Sequence, residues 1–248
     1  MSGSARIHEV DASVKDGVVA CAMGVDELAQ RVMDRGQIVI LKGAYSDQTA
    51  TAARTAVAAW GRDVPLAEVD DFRGNYHRRR AMVSRLQQTP HVFHDYNFND
   101  MAALPADIQA TLRGLFTPLQ RLYNDLTGHD TRFEIPDAGP YVHPQLIQYP
   151  TGGGFFGRHW HNLQPQKLGF IVSLSKRGRD YRNGGTRFAI DGEVVDVEER
   201  HAVGDICVWR YDHEHWVPQS DLQDRFDWND DGGRWVATYA YFDPFGVP

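Results

Sequence analysis

Two cysteines in 248 residues, Cys21 and Cys207, are too few and too unlike in context for a disulfide framework or a thiolate-built metal site. Long apolar runs are absent as well. No stretch approaches the roughly 18 consecutive apolar residues of a membrane helix, and Met1 to Val10 has no apolar leader core. The expected setting is a reducing cytoplasm, without a membrane partner. Positive charge is also scarce: 26 Lys and Arg stand against 33 Asp and Glu, a net charge of −7. That balance disfavours a nucleic-acid surface. Neither a Gly-x-Ser-x-Gly nucleophile turn nor a dinucleotide fingerprint occurs, and Gly152-Gly153-Gly154 lacks the following Lys and helix of a phosphate loop.

What is present suits a globular domain. Hydrophobic residues make up 42% of the chain and aromatics 11%, enough for a substantial core. With no internal repeat and no separating linker, residues 1–248 read as one domain, monomeric or homodimeric. Residues 1–130 form a mostly helical flank and lid; 140–242 form the core.

In the first half, apolar positions at 25, 28, 29 and 32 give a short helix, and Gln37–Lys42 is a buried strand. Ser46 caps an alanine-rich helix running to about Trp60. Residues 1–23 are weakly patterned. Residues 62–103 lack apolar periodicity and read as a long loop, a lid or wall over a site that recognises substrate. Within it, His77-Arg78-Arg79-Arg80 is either a solvated loop or a clamp for an anion. A third helix spans about 105–126, with Pro118 expected to kink or break it.

From about residue 140 short apolar runs alternate with turns: 145–149, 168–174, 186–190, 193–197, 206–209, 216–217 and 234–242. Asp191-Gly192 is a hairpin signal. Many short strands with regular turns predict a sandwich or barrel flanked by helices.

The chemistry concentrates at His159-Trp160-His161, just past the glycine-rich turn at 151–157, with His215 some fifty residues on. On a strand, residues i and i+2 share a face and the one between points away, so Trp160 is expected to face packing. Three imidazoles would make a facial ligand set that leaves coordination positions open. His213 would share the face of His215, as a supporting group or a surface residue.

The neighbours of these histidines carry a resemblance. The segment Gln148–His161, then Leu174-Ser175 with Asn183-Gly184-Gly185-Thr186, then Val203–Trp209 ending in His215-Trp216-Val217-Pro218, and finally Gly233–Tyr239 resemble, in order and spacing, the Fe(II)/2-oxoglutarate-dependent oxygenases. The opening Asp34–Gly43 is similar to the phytanoyl-CoA hydroxylase-like branch. The resemblance implies a mainly β fold with flanking helices, a double-stranded β-helix (jelly roll, cupin-like). It implies Fe(II) held by His159 and His215, 2-oxoglutarate as cosubstrate paired with Arg234, and further bonds from Gln145, Tyr149 and Thr186. Arg225 competes for the role of Arg234 but sits in an acidic loop. The implied activity is a dioxygenase that hydroxylates or cyclises a small polar metabolite, in secondary metabolism.

One position departs from that pattern. The usual His-x-Asp carboxylate is His161 here, and imidazole brings no negative charge to the metal. His161 is then the third ligand, or swings aside to leave an open position as in related halogenases, or the metal is not iron. Three imidazoles also suit a Zn site for redox-neutral hydrolysis or elimination, and a non-catalytic jelly-roll binding protein is the remaining alternative.

Overall fold

The computed structural model describes residues 6–71, 73–82, 89–134 and 139–243. The chain is mainly β, a jelly roll with helices on one side. Strands β1 (Ile7–Lys15), β2 (Val18–Cys21) and β3 (Ile38–Lys42) enclose α1 (Val25–Ala29), which continues as a π-helical turn, Gln30–Asp34. Helix α2 (Asp47–Asp63) follows, then β4 (Asn75–Met82), β5 (His91–Phe98) and α3 (Ala106–Thr127). The remaining strands are β6 (Tyr141–Tyr149), β7 (Phe155–His159), β8 (Leu168–Ser173), β9 (Arg187–Ile190), β10 (Glu193–Asp196), β11 (Ile206–Arg210), β12 (Glu214–Val217) and β13 (Arg234–Phe242).

The strands pair in the order β10-β9-β12-β7-β5-β6-β13-β8-β11-β3-β1-β2, with β4 on β5. Strand β5 pairs with both β6 and β7 and so links the two halves of the roll. Period-2 alternation decides which side chains reach the interior. Val39, Leu41, Phe170, Val172, Val208, Trp235 and Ala237 pack in one cluster with α2 and α3 residues such as Val57, Phe116 and Leu119. Their neighbours Ile38, Ile40, Ile171, Cys207, Trp209 and Val236 form a second cluster with Phe188 and Val217. That second cluster fills the inside of the roll, and the candidate site opens from it.

Several expectations hold. Ser46 Oγ accepts from the Thr49 N–H at the start of α2, a helix N-cap. Asp191 (φ 48°) and Gly192 (φ 80°) turn β9 into β10 with Ile190 opposite Glu193, a two-residue hairpin.

Others are corrected. The weakly patterned N-terminus forms β1 and β2, joined by a second Asp-Gly hairpin at Asp16-Gly17. The supposed loop at 62–103 contains β4 and β5, an antiparallel pair built into the main sheet; positions 72 and 83–88 lie outside the described residues. The basic run is therefore on a strand. Arg78 and Arg80 pair with Asp70, Arg80 also with Asp95, and Arg79 donates to the Trp228 carbonyl and Asn229. Helix α3 runs unbroken through Pro118. A mid-helix proline costs about 3 kcal/mol, but Leu112, Leu115, Phe116, Leu119 and Leu122 are all buried on either side of it. At about 1.5–3 kcal/mol each, their burial outweighs the lost bond.

Candidate active site

Strands β7 and β12 are antiparallel neighbours, and their register places His159 directly opposite His215. Cross-strand partners share a face, so the two imidazoles meet with ring centroids 4.3 Å apart. His161 lies just beyond the end of β7 rather than on it, yet its ring comes within 5.0 Å of His159 and 5.4 Å of His215. One ligand atom from each of the three falls within 4.8 Å of the others. The expected trio is therefore assembled, although by a strand pair and a loop. Trp160 does not face packing: leaving the strand at His159 turns it outward, and it is 67% exposed.

Two of the three rings are aimed by the backbone. His159 Nδ1 donates to the Gly157 carbonyl at 2.7 Å, and His215 Nδ1 to the His213 carbonyl at 2.8 Å. A carbonyl only accepts, so Nδ1 carries the proton and Nε2 keeps its lone pair for a metal. Phe156 stacks on His159 at 4.1 Å. Among the described residues no hydrogen bond orients His161; it is held by Tyr211, stacked at 4.1 Å and 5°. The His213 side chain meets the Gly36 carbonyl at 2.9 Å, so its contribution to the trio is its own carbonyl.

Burial holds all three imidazoles in the neutral form a metal requires. It lowers His159, with the Gly157 contact opposing. Burial together with the neighbouring His159 brings His161 down to about 4, and the same influences bring His215 to about 3.

The trio lines a cavity of about 190 Å³ that Arg234, Gln145, Tyr149 and Thr186 also line. All four residues expected to hold a cosubstrate are thus brought to one cavity with the histidines. Their bonding departs from expectation in one respect. Arg234 Nε donates to Glu198 Oε1 at 2.9 Å and Nη2 to Glu198 Oε2 at 3.2 Å, while Nη2 also donates to Thr186 Oγ1 at 2.7 Å. The guanidinium lies 5.5 Å from the Tyr149 ring centroid, and burial pushes the Tyr149 phenol up to about 12. Gln145 Nε2 donates to Asn97 Oδ1 at 2.7 Å.

Sequence patterning missed Glu198, Trp209 and Tyr211. Glu198 sits in the polar run Val197-Glu198-Glu199-Arg200, which reads as a solvated turn. The available signal was the counter-ion that a buried arginine requires. Trp209 lies inside the roll, 5.5 Å from the His215 ring, and its buried Nε1–H has no partner among the described residues. An orphaned donor facing a cavity marks a place for a ligand acceptor. Its partner across the strands is Gly169. A Cβ there would stand 2.3 Å from the indole, so glycine is what lets the ring lie over β8. Gly169→Ala is expected to cost about 1–3 kcal/mol by overpacking and to shift the tryptophan fluorescence. An unchanged urea midpoint and emission spectrum would show that the indole is not seated there.

These residues fit the groups the sequence resemblance implies. Three neutral imidazoles within 4.8 Å close on one ion with shifts of about 1 Å, given metal–nitrogen bonds near ~2.1 Å. Arg234 Nη1, free of protein bonds among the described residues, and the Trp209 N–H offer donors to a carboxylate.

By sequence, no family model and no curated protein matches the chain. By structure it resembles a prolyl-4-hydroxylase from Pseudomonas putida (TM-score 0.55, 14% identity, covering 88% of this chain and 96% of that one). It also resembles the non-haem alpha-ketoglutarate-dependent epimerase SnoN of nogalamycin biosynthesis (0.54, 12%, 88% and 82%). A third likeness is to a Trichoplax adhaerens prolyl hydroxylase in complex with a peptide fragment (0.51, 13%, 88% and 90%). At such identities these likenesses establish the jelly-roll fold.

Proposed function

We propose that this chain is a non-haem Fe(II), 2-oxoglutarate-dependent oxygenase that oxidises a small polar metabolite. The observation that carries the reading is the convergence of His159, His161 and His215 on the wall of the cavity that also holds Arg234. One fold hosts many chemistries, so the site rather than the fold carries the function.

His159 and His215 would hold the metal through Nε2, with His161 as the third ligand. Iron held there would supply oxygen activation coupled to oxidative decarboxylation of the 2-oxo acid, for oxidation of a substrate C–H bond. The chain's own part is to bind and orient. Arg234 Nη1 meets the carboxylate remote from the metal, and the Trp209 N–H meets a second acceptor. Ile171, Val217 and Val236 present apolar walls that exclude water. A volume of about 190 Å³ suits a small molecule.

The test is direct. Added anaerobically to the chain with Fe(II), 2-oxoglutarate is expected to give a weak visible charge-transfer band, and in air to yield succinate slowly without added substrate. Three ligands without a carboxylate favour one rival, a zinc centre activating water. That rival predicts Zn-dependent hydrolysis, no band and no succinate, an outcome that would overturn the oxygenase reading.

A further inference from the structure

Glu198 is not among the residues lining the cavity, but it engages the guanidinium that an incoming carboxylate would meet there. Its side chain and that of Arg234 are each 1% exposed. Oε1 accepts from Arg234 Nε and from the Tyr181 hydroxyl; Oε2 accepts from Arg234 Nη2 and from the Thr186 N–H at 2.9 Å. Four donors saturate the carboxylate and fix it as an anion. The second Nη2 proton goes to Thr186, so among the described residues Nη1 alone is uncommitted. A ligand carboxylate reaching Arg234 meets a neutral ion pair with one donor group to offer, in place of a bare guanidinium fork.

The metal end departs in the opposite sense. A His-x-Asp site places one negative charge on the metal, and His161 places none. Counting Glu198, which backs Arg234, the side-chain charge about the site is the same in the two arrangements: one carboxylate and one arginine. Here the carboxylate sits beside the arginine instead of on the metal.

We propose that Glu198 is a specificity-determining residue, the carboxylate this site withholds from its metal, and that it admits 2-oxo acids with uncharged tails alongside 2-oxoglutarate. The proposal rests on the oxygenase reading above. With Arg234 neutralised, a second carboxylate on the ligand gains one bond from Nη1 and is repelled by Glu198, so it adds little over an uncharged tail of the same length. The metal end, one unit more positive, still captures the 2-oxo carboxylate common to both.

The experiment is calorimetric binding of 2-oxoglutarate and of 2-oxovalerate to the full chain loaded with Ni(II), a redox-inert stand-in. In the wild type the dicarboxylate is expected to bind less than about tenfold tighter than the monocarboxylate. Glu198→Gln keeps the shape and removes the charge, and it is expected to raise that ratio at least about tenfold. A wild-type preference of tenfold or more, or a folded Glu198→Gln protein with its ratio within twofold of wild type, overturns the assignment. The wild-type ratio decides the matter even if the variant does not fold. Binding of neither acid by the metal-loaded chain would instead sink the oxygenase reading itself.

Discussion

His215→Ala is expected to lower divalent-metal affinity at least about a hundredfold, with the apo fold retained. The size follows from the loss of a directly coordinating nitrogen, since even outer hydrogen-bond partners of metal ligands are worth about 10–100-fold. His215 lies directly opposite His159 and is aimed by the His213 carbonyl, whereas the His213 side chain is turned to Gly36 and does not replace it. His159→Ala is expected to match it, because its Nε2 is aimed in the same way by Gly157. His161→Ala is expected to cost less, about tenfold, because that ring is held by stacking on Tyr211 and, among the described residues, by no hydrogen bond. His161→Asp should keep or raise metal affinity by restoring an anionic ligand. Competition against a chromophoric chelator measures all four, with thermal melts of the apo proteins as the folding control. Equal losses at 159, 161 and 215 would contradict the ranking. No loss at His215 would remove the metal site.

Much of this site was legible in the sequence because its elements carry short-range signals. The β11 and β13 runs are short and apolar between turn residues, and Asp191-Gly192 marks a hairpin. The fold of the first half was less legible for two physical reasons. Strand β5 buries His94, Asp95 and Asn97, which an apolar-periodicity argument counts as solvent-facing. They are tolerated because each is paired: Arg80 and Asn97 both donate to Asp95 Oδ2, although Oδ1 has no partner among the described residues, and His94 joins His77 and the Tyr96 hydroxyl. Strand β1 lacks strict alternation, although Asp16-Gly17 carries the same turn signal as Asp191-Gly192 and would have revealed it. Glu198 was illegible because its partner Arg234 is 36 residues away, and only the folded chain brings the two together.

That pair carries the other large expected effect, on stability. Arg234→Ala leaves the Glu198 carboxylate buried with no counter-ion, and removing one partner of a buried ion pair costs about 3–5 kcal/mol. The dependence on pH follows from the sign of the Glu198 shift. In the wild type, burial pushes the carboxyl up, but Arg234 and the surrounding donors outweigh it and bring it from 4.5 down to about 2. A depressed carboxyl contributes stability that is complete above its unfolded value and is lost as pH falls through its folded value. The wild type should therefore lose this contribution between about pH 4.5 and pH 2. Without Arg234 the largest lowering influence is lost while burial still pushes the carboxyl up, so the folded value rises even though the Tyr181 hydroxyl and His201 still oppose it. The variant's penalty then grows as pH rises through that range, so the gap from wild type is largest near pH 7 and narrows near pH 4. Urea unfolding at the two pH values measures it. A loss under about 1 kcal/mol at pH 7, or a gap that widens on acidification, would show that the pair is not the buried unit described. Arg234→Met combined with Glu198→Gln removes both charges and is expected to be more stable than Arg234→Ala alone, because it leaves no buried ion to solvate.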